Sequence, residues 1–230
     1  MQKFLFCLLG IFSLFSFSQE QDSILNDYKY REDQFYFSIT YNLLDAKPNG
    51  VSQQGFSSGF HAGFLRDMPI NKSRTLALAI GLGLSANSYN QNLRVSDNLE
   101  SGIEFSVIND DTDFTKNKYF TYLVEVPFEF RWRNSTPNSY KFWRIYSGFK
   151  LGYVFANQTK FNGVPNDVKI NALTRFNKLQ YGLTLSAGYG TWNFHIHYTL
   201  NPIFDDESRL DTGEQIKMRA IKLGLIFYIL

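Results

Sequence analysis

The sequence is poor in cysteine, histidine and long apolar runs. One cysteine, Cys7, stands among 230 residues, so no disulfide framework can form within the chain. There are three histidines, and neither a Cys/His metal motif, a glycine-rich phosphate loop nor a Ser-His-Asp arrangement is present. Charge is scarce and balanced, 23 basic against 21 acidic residues, which gives no reason to expect a nucleic-acid partner. With 44% hydrophobic residues the chain is too apolar for disorder. The longest apolar run, Phe4–Phe17, is too short for a membrane-spanning helix.

That run has the layout of a secretory signal peptide: Lys3 precedes it, and Ser16 and Ser18 provide the small residues of a cleavage site between Ser18 and Gln19. Cys7 lies inside the run with no small residue before it, unlike a lipid-attachment cysteine. The expected organisation is a signal peptide over 1–18, a short periplasmic segment over 19–33, in which Ser23–Arg31 is compatible with a short helix, and one domain over 34–230.

What the domain has in abundance is alternation. Phe35, Phe37, Ile39, Tyr41 and Leu43 alternate with Gln34, Tyr36, Ser38, Thr40 and Asn42. The same period of two recurs from Phe56 to Phe64, Leu76 to Leu84, Phe120 to Trp132, Trp143 to Phe155, Tyr181 to Tyr189, Phe194 to Leu200 and Ile221 to Ile229. Gly190-Thr191 fits a two-residue hairpin loop with glycine first, which pairs Tyr189 with Trp192.

The less apolar face decides which side meets lipid. Between Leu76 and Leu84 it carries Ala77, Ala79, Gly81 and Gly83, without a charge. Small residues suit the crowded inside of an eight-stranded barrel, with the bulky ones facing lipid. Connections alternate between long (45–54, 90–117, 157–175, 204–215) and short (67–73, 134–141, 190–191), the asymmetry of outer-membrane barrels. Trp132, Trp143 and Trp192 all lie beside short turns, as an interfacial girdle would. The expected fold is all-β: an eight-stranded antiparallel up-and-down transmembrane β-barrel in the cell outer membrane, with lipid as its surroundings. The competing architecture is a soluble periplasmic ligand-binding barrel, apolar inside.

Inward-facing charges are the candidate chemistry. Glu125, Glu129, Arg131 and Arg133 share one face of the fourth strand, and Arg144 and Lys150 that of the fifth. In a confined lumen such charges must pair, so a polar network that fills the interior is expected rather than an acid–base site. His61, His195 and His197 also point inward on this register, and ordinary hydrogen bonding is expected of them rather than metal ligation. The acidic clusters Asp110, Asp111, Asp113 and Asp205, Asp206, Glu207, Asp211, Glu214 lack calcium-loop spacing and read as solvated loop tips. No cofactor is expected. Gly102–Val107, inside the longest loop, reads as a strand extension above the membrane.

The segment Tyr122-Leu123-Val124-Glu125-Val126-Pro127 resembles the aromatic-Leu-x-Glu-Ile/Val-Pro signature of the PorT family of Bacteroidetes outer-membrane barrels. Gly148-Phe149-Lys150-Leu151-Gly152-Tyr153 is similar to that family's next strand. Arg66–Asn71, Ile80–Gly83 and Asn87–Asn90 resemble flavobacterial members. The resemblance implies a non-enzymatic component of type IX protein secretion, linked to gliding motility, with other secretion-system proteins as partners. The alternative is a small outer-membrane porin or a lipid-modifying barrel. Pro127 removes a ladder donor, so a β-bulge beside Glu125 is expected.

Overall fold

A computed structural model of the protein describes residues 33–98, 102–108, 112–134, 142–164 and 166–229. The cleavage site Ser18–Gln19, the segment Ser23–Arg31 and the acidic residues Asp110 and Asp111 lie outside the described residues.

Eight long antiparallel strands close on themselves. They are β1 (Gln34–Asp45), β2 (Ser58–Pro69), β3 (Leu76–Asn90), β6 (Phe114–Arg133), β7 (Trp143–Gly163), β9 (Leu179–Tyr189), β10 (Trp192–Thr199) and β11 (Arg219–Ile229). Each pairs with its neighbours along the chain, and β1 pairs with β11, so no edge is left unpaired. In a bilayer, with no water to satisfy backbone groups, closure is what makes strands viable. Three shorter strands lie at the long-loop end. The strands β4 (Leu93–Asn98) and β5 (Gly102–Val107) form a hairpin of their own, and β8 (Val168–Asn171) pairs with the outer end of β7. Gly102–Val107 is thus a strand, but it extends no barrel strand.

The pleat sorts the side chains as the alternation requires. Along β9 the pattern of exposed and buried positions is strictly alternate, with Leu183 and Leu185 out and Thr184 and Ser186 in. Leu82 is 61% exposed and Phe194 73%, whereas Arg131 and Lys222 are buried. An exterior of bare leucine and phenylalanine around an ionic interior excludes the soluble barrel. Along β6 the rise from Trp132 to Tyr122, at about 3.3 Å per residue and about 40° of tilt, is about 25 Å, the height of an outer-membrane apolar band with an aromatic girdle at each edge. A spin label at Leu82 should therefore relax strongly with lipid-dissolved oxygen and weakly with a water-soluble nickel chelate, and the opposite ranking would contradict this orientation.

The Gly190-Thr191 turn sits where expected, with Trp192 opposite Tyr189. Gly190 has φ of 58° and Thr191 is not in the left-handed region, as a type II′ turn requires. The bulge expected at Pro127 is absent. Pro127 stays in register with Lys150, and its effect is felt on the other side, where the β3 ladder loses pairing at Gly81 and Leu82 and resumes unshifted at Gly83. The register shift in this pair of strands near the membrane lies at Tyr122/Leu123, where β7 gains an extra residue, Phe155.

Candidate functional site

The sequence places small residues where the charged ones need room. Glu125 stands between Gly83 on β3 and Gly152 on β7, and Glu129 between Ala79 and Gly148. A Cβ at Gly83 would collide with the Tyr36 hydroxyl, and one at Gly63 would lie 2.6 Å from the same ring, so these two glycines seat Tyr36 against the inner wall formed by β2 and β3.

The charges form two groups. Towards the short-turn end, Arg133 Nη1 and Nη2 donate to Asp67 Oδ1 and Oδ2 at 2.9 and 2.8 Å, and Arg131 Nη1 donates to Asp67 Oδ1 at 3.0 Å. Arg131 Nε also donates to Glu129 Oε2 at 2.9 Å. The Arg131 guanidinium lies 4.7 Å from the Tyr146 ring centre, and that of Arg144 4.4 Å from Phe142 and 5.6 Å from Tyr228. Buried among aromatic faces, these cations are partly compensated by the ring quadrupoles.

At mid-lumen, Glu125 Oε2 pairs with Lys150 Nζ at 3.1 Å and with His61 Nδ1 at 3.3 Å. A polar chain continues from there: Thr40 Oγ1 lies 3.4 Å from His61 Nε2 and donates to Asn42 Oδ1 at 2.8 Å, and Asn42 Nδ2 reaches Asn87 Oδ1 at 3.5 Å. His195 Nδ1 is 2.8 Å from Ser186 Oγ. Neither ring nitrogen of His197 has a hydrogen-bond partner among the described residues, so ordinary hydrogen bonding accounts for two histidines and not for the third. No group of three His, Cys, Asp or Glu side chains comes together in a metal-holding arrangement among the described residues.

All six charged residues expected in the lumen are there and buried: Glu125, Glu129, Arg131, Arg133, Arg144 and Lys150. Asp67 and Lys222 belong with them, although the sequence pattern does not mark them as candidates. Asp67 falls in the segment 67–73, which reads as a short connection, although His61, Gly63, Leu65 and Asp67 continue one period of two. Lys222 lies among the positions that alternate with Ile221 and Leu223. Counting both, three buried carboxylates face five buried cations among the described residues. The three tryptophans are exposed at the short-turn end, where Trp143 and Trp192 both oppose Tyr189 and Trp132 opposes Ile145.

At the long-loop end the lumen is roofed. Tyr89 and Tyr119, directly opposite on β3 and β6, stack at 4.8 Å and are fully buried. Above them Leu93, Val95, Phe105, Leu173, Phe176, Ile203, Phe204, Leu210, Ile216 and Met218 pack into one apolar cluster. Backbone bonds knit its loops, as from Asp211 N to Phe105 O at 3.0 Å and from Ile203 N to Met218 O at 2.8 Å. The loops are therefore a packed cap, not only solvated tips. Of the acidic residues, Asp113, Asp206, Glu207 and Asp211 are exposed, while Asp205 and Glu207 hold Arg175 and Glu214 accepts from the Asn49 amide. The bond to Glu207 raises the Arg175 pKa above the ordinary guanidinium value.

A closed eight-stranded barrel, greasy outside and ionic inside, with short turns at one end and a folded cap at the other, is an integral outer-membrane protein. The family described as "Outer membrane protein beta-barrel domain" matches residues 17–205, and the chain belongs to that family. No curated protein and no solved structure matches the chain. The strand β11 lies beyond the matched residues, yet it is the one that closes the cylinder against β1.

Proposed function

We propose that this barrel is a non-enzymatic accessory component of type IX protein secretion, and of the gliding motility linked to it, and that it works by holding partner proteins at its cap or periplasmic rim. The observation that carries this reading is the filled and roofed lumen. Ion pairs occupy the interior over two levels, and a cluster of buried aromatic and aliphatic residues covers it, which leaves surfaces rather than a passage as the working parts. The similarity of Tyr122–Pro127 and of Gly148–Tyr153 to the PorT signature supports the secretion assignment. The lumenal carboxylates Asp67, Glu125 and Glu129 are each engaged with cations, which supports a structural role for them rather than proton transfer.

The decisive measurement is export in a strain lacking the gene: type IX cargo should accumulate inside the cell, and the intact gene should restore its export. Normal export by the null strain would sink the proposal. The competing reading is a small pore, against which the packed lumen weighs. Steady conductance well above the bare-lipid baseline in planar bilayers would restore it.

A further inference from the structure

Beyond the apolar band, the outer face of the barrel carries a row of lysines. Lys118 on β6 is directly opposite Lys160 on β7, and Lys160 is directly opposite Lys169 on β8. Lys116 follows two residues further out on β6 and, with Lys160, acts electrostatically on Lys118. Lys116, Lys118 and Lys160 face outward, because their neighbours Asn117, Tyr119, Thr159 and Phe161 are buried on the other side of the sheet, and the exposed Lys169 shares that side as the direct partner of Lys160. Like charges directly across a ladder repel. None of these lysines makes an ion pair among the described residues. Such a row is costly to keep unless something negative lies against it.

Its height says what that is. Tyr122, Tyr153 and Phe155 form the upper aromatic girdle on these strands, each between 42% and 56% exposed. Lys118 lies four residues beyond Tyr122 on β6, which at the same tilt is about 10 Å further from the bilayer centre. That is the depth of lipid headgroups rather than acyl chains, within reach of a flexible lysine stem. Lys118 Nζ is 4.3 Å from the Phe120 ring centre, so the row grades directly into the aromatic surface below it.

We propose that Lys118, Lys160 and Lys169, flanked by Lys116, are a docking site for the phosphorylated headgroup of an outer-leaflet lipid. The ammonium groups donate to the phosphate oxygens, as lysines do towards phosphate, and the acyl chains lie along the outward residues Phe120, Tyr122 and Phe155. The inference stands whether or not the secretion role holds.

The test uses the full chain folded in uncharged detergent and titrated with diphosphorylated lipid A, with the same lipid stripped of phosphate, and with inorganic phosphate, bound lipid being counted by native mass spectrometry. A lysine near an anionic lipid surface is worth roughly fivefold in affinity. Lys118→Gln, Lys160→Gln and Lys169→Gln together should therefore weaken binding of the phosphorylated lipid at least tenfold, with Lys47→Gln and Lys217→Gln as a control that changes it less than twofold. The stripped lipid should bind wild type and triple variant alike. Heat-modifiable gel mobility verifies folding; should the triple variant fail it, Lys169→Glu alone, at an exposed position, should still weaken binding at least threefold. Equal binding by wild type and the folded variant overturns the proposal. So does displacement of the lipid by millimolar inorganic phosphate, which would mark a site for free anions.

Discussion

Replacing Asp67 with alanine is expected to lower folding stability by about 3–5 kcal/mol, the cost of leaving buried charge without its partner. Asp67 is fully buried and takes three hydrogen bonds from Arg131 and Arg133. It does so across a strand: β2 and β6 are separated by β3, whose Ala77 and Ala79 are short enough for the guanidinium groups to pass over them. Truncation removes three charge-assisted bonds from Arg131 and Arg133, in an interior already rich in cations. Reversible urea unfolding of the barrel in lipid vesicles measures the effect. Asp67→Asn, which keeps one acceptor, should fall between wild type and alanine. Adding Arg133→Met to Asp67→Ala should cost less than the sum of the two single changes, because both remove the same two bonds between Arg133 and Asp67. A loss below about 1 kcal/mol for Asp67→Ala would mean that water or lipid headgroups reach this level of the lumen and replace the carboxylate.

The barrel was legible in the sequence because lipid enforces a sharp contrast between the two faces of a strand. Where that enforcement stops, the signal stops. β6 begins at Phe114 and β7 runs to Gly163, well past the alternating segments Phe120–Trp132 and Trp143–Phe155, because above the membrane both faces meet water or protein and Lys116, Lys118, Gln158 and Lys160 are acceptable outside. At the other edge β2 continues to Pro69, since Arg66 outside and Asp67 inside are both polar at the interface and mask the period. Orientation, the Tyr189–Trp192 pair and six of the eight inward charges follow from local pattern. The partner of each charge was not, because Asp67 meets Arg131 and Arg133 only through the shear of the barrel. Pro127 departs from expectation for a related reason. A missing donor demands a bulge only where the ladder cannot tolerate a gap, and here the ladder skips Gly81 and Leu82 and resumes in the same register.

The cap was the least legible part, and Phe204→Ala is the substitution that tests it. Its apolar residues are dispersed singly or in pairs among polar loop residues, with no period to mark them, and only the fold gathers them. Phe204 is fully buried at their centre, 4.7 Å from the Phe176 ring, 5.2 Å from Phe105 and 5.6 Å from Tyr119. Deleting a buried phenylalanine costs about 3–5 kcal/mol. Here the loss should be local, because the cap is joined to the barrel by loops and carries its own hairpin, β4–β5, whereas the barrel strands are held by the closed ladder. Hydrogen exchange should show amide protection of β4 and β5 falling by two to three powers of ten, as about 3–4 kcal/mol of local stability implies, with β9 and β10 unchanged. Planar-bilayer conductance should stay at the lipid baseline, since the Asp67 and Glu125 ion pairs block the lumen below the roof. Loss of protection throughout the barrel would show instead that cap and cylinder fold as one unit. A rise in conductance would show that the roof, and not the ionic lumen, is the seal.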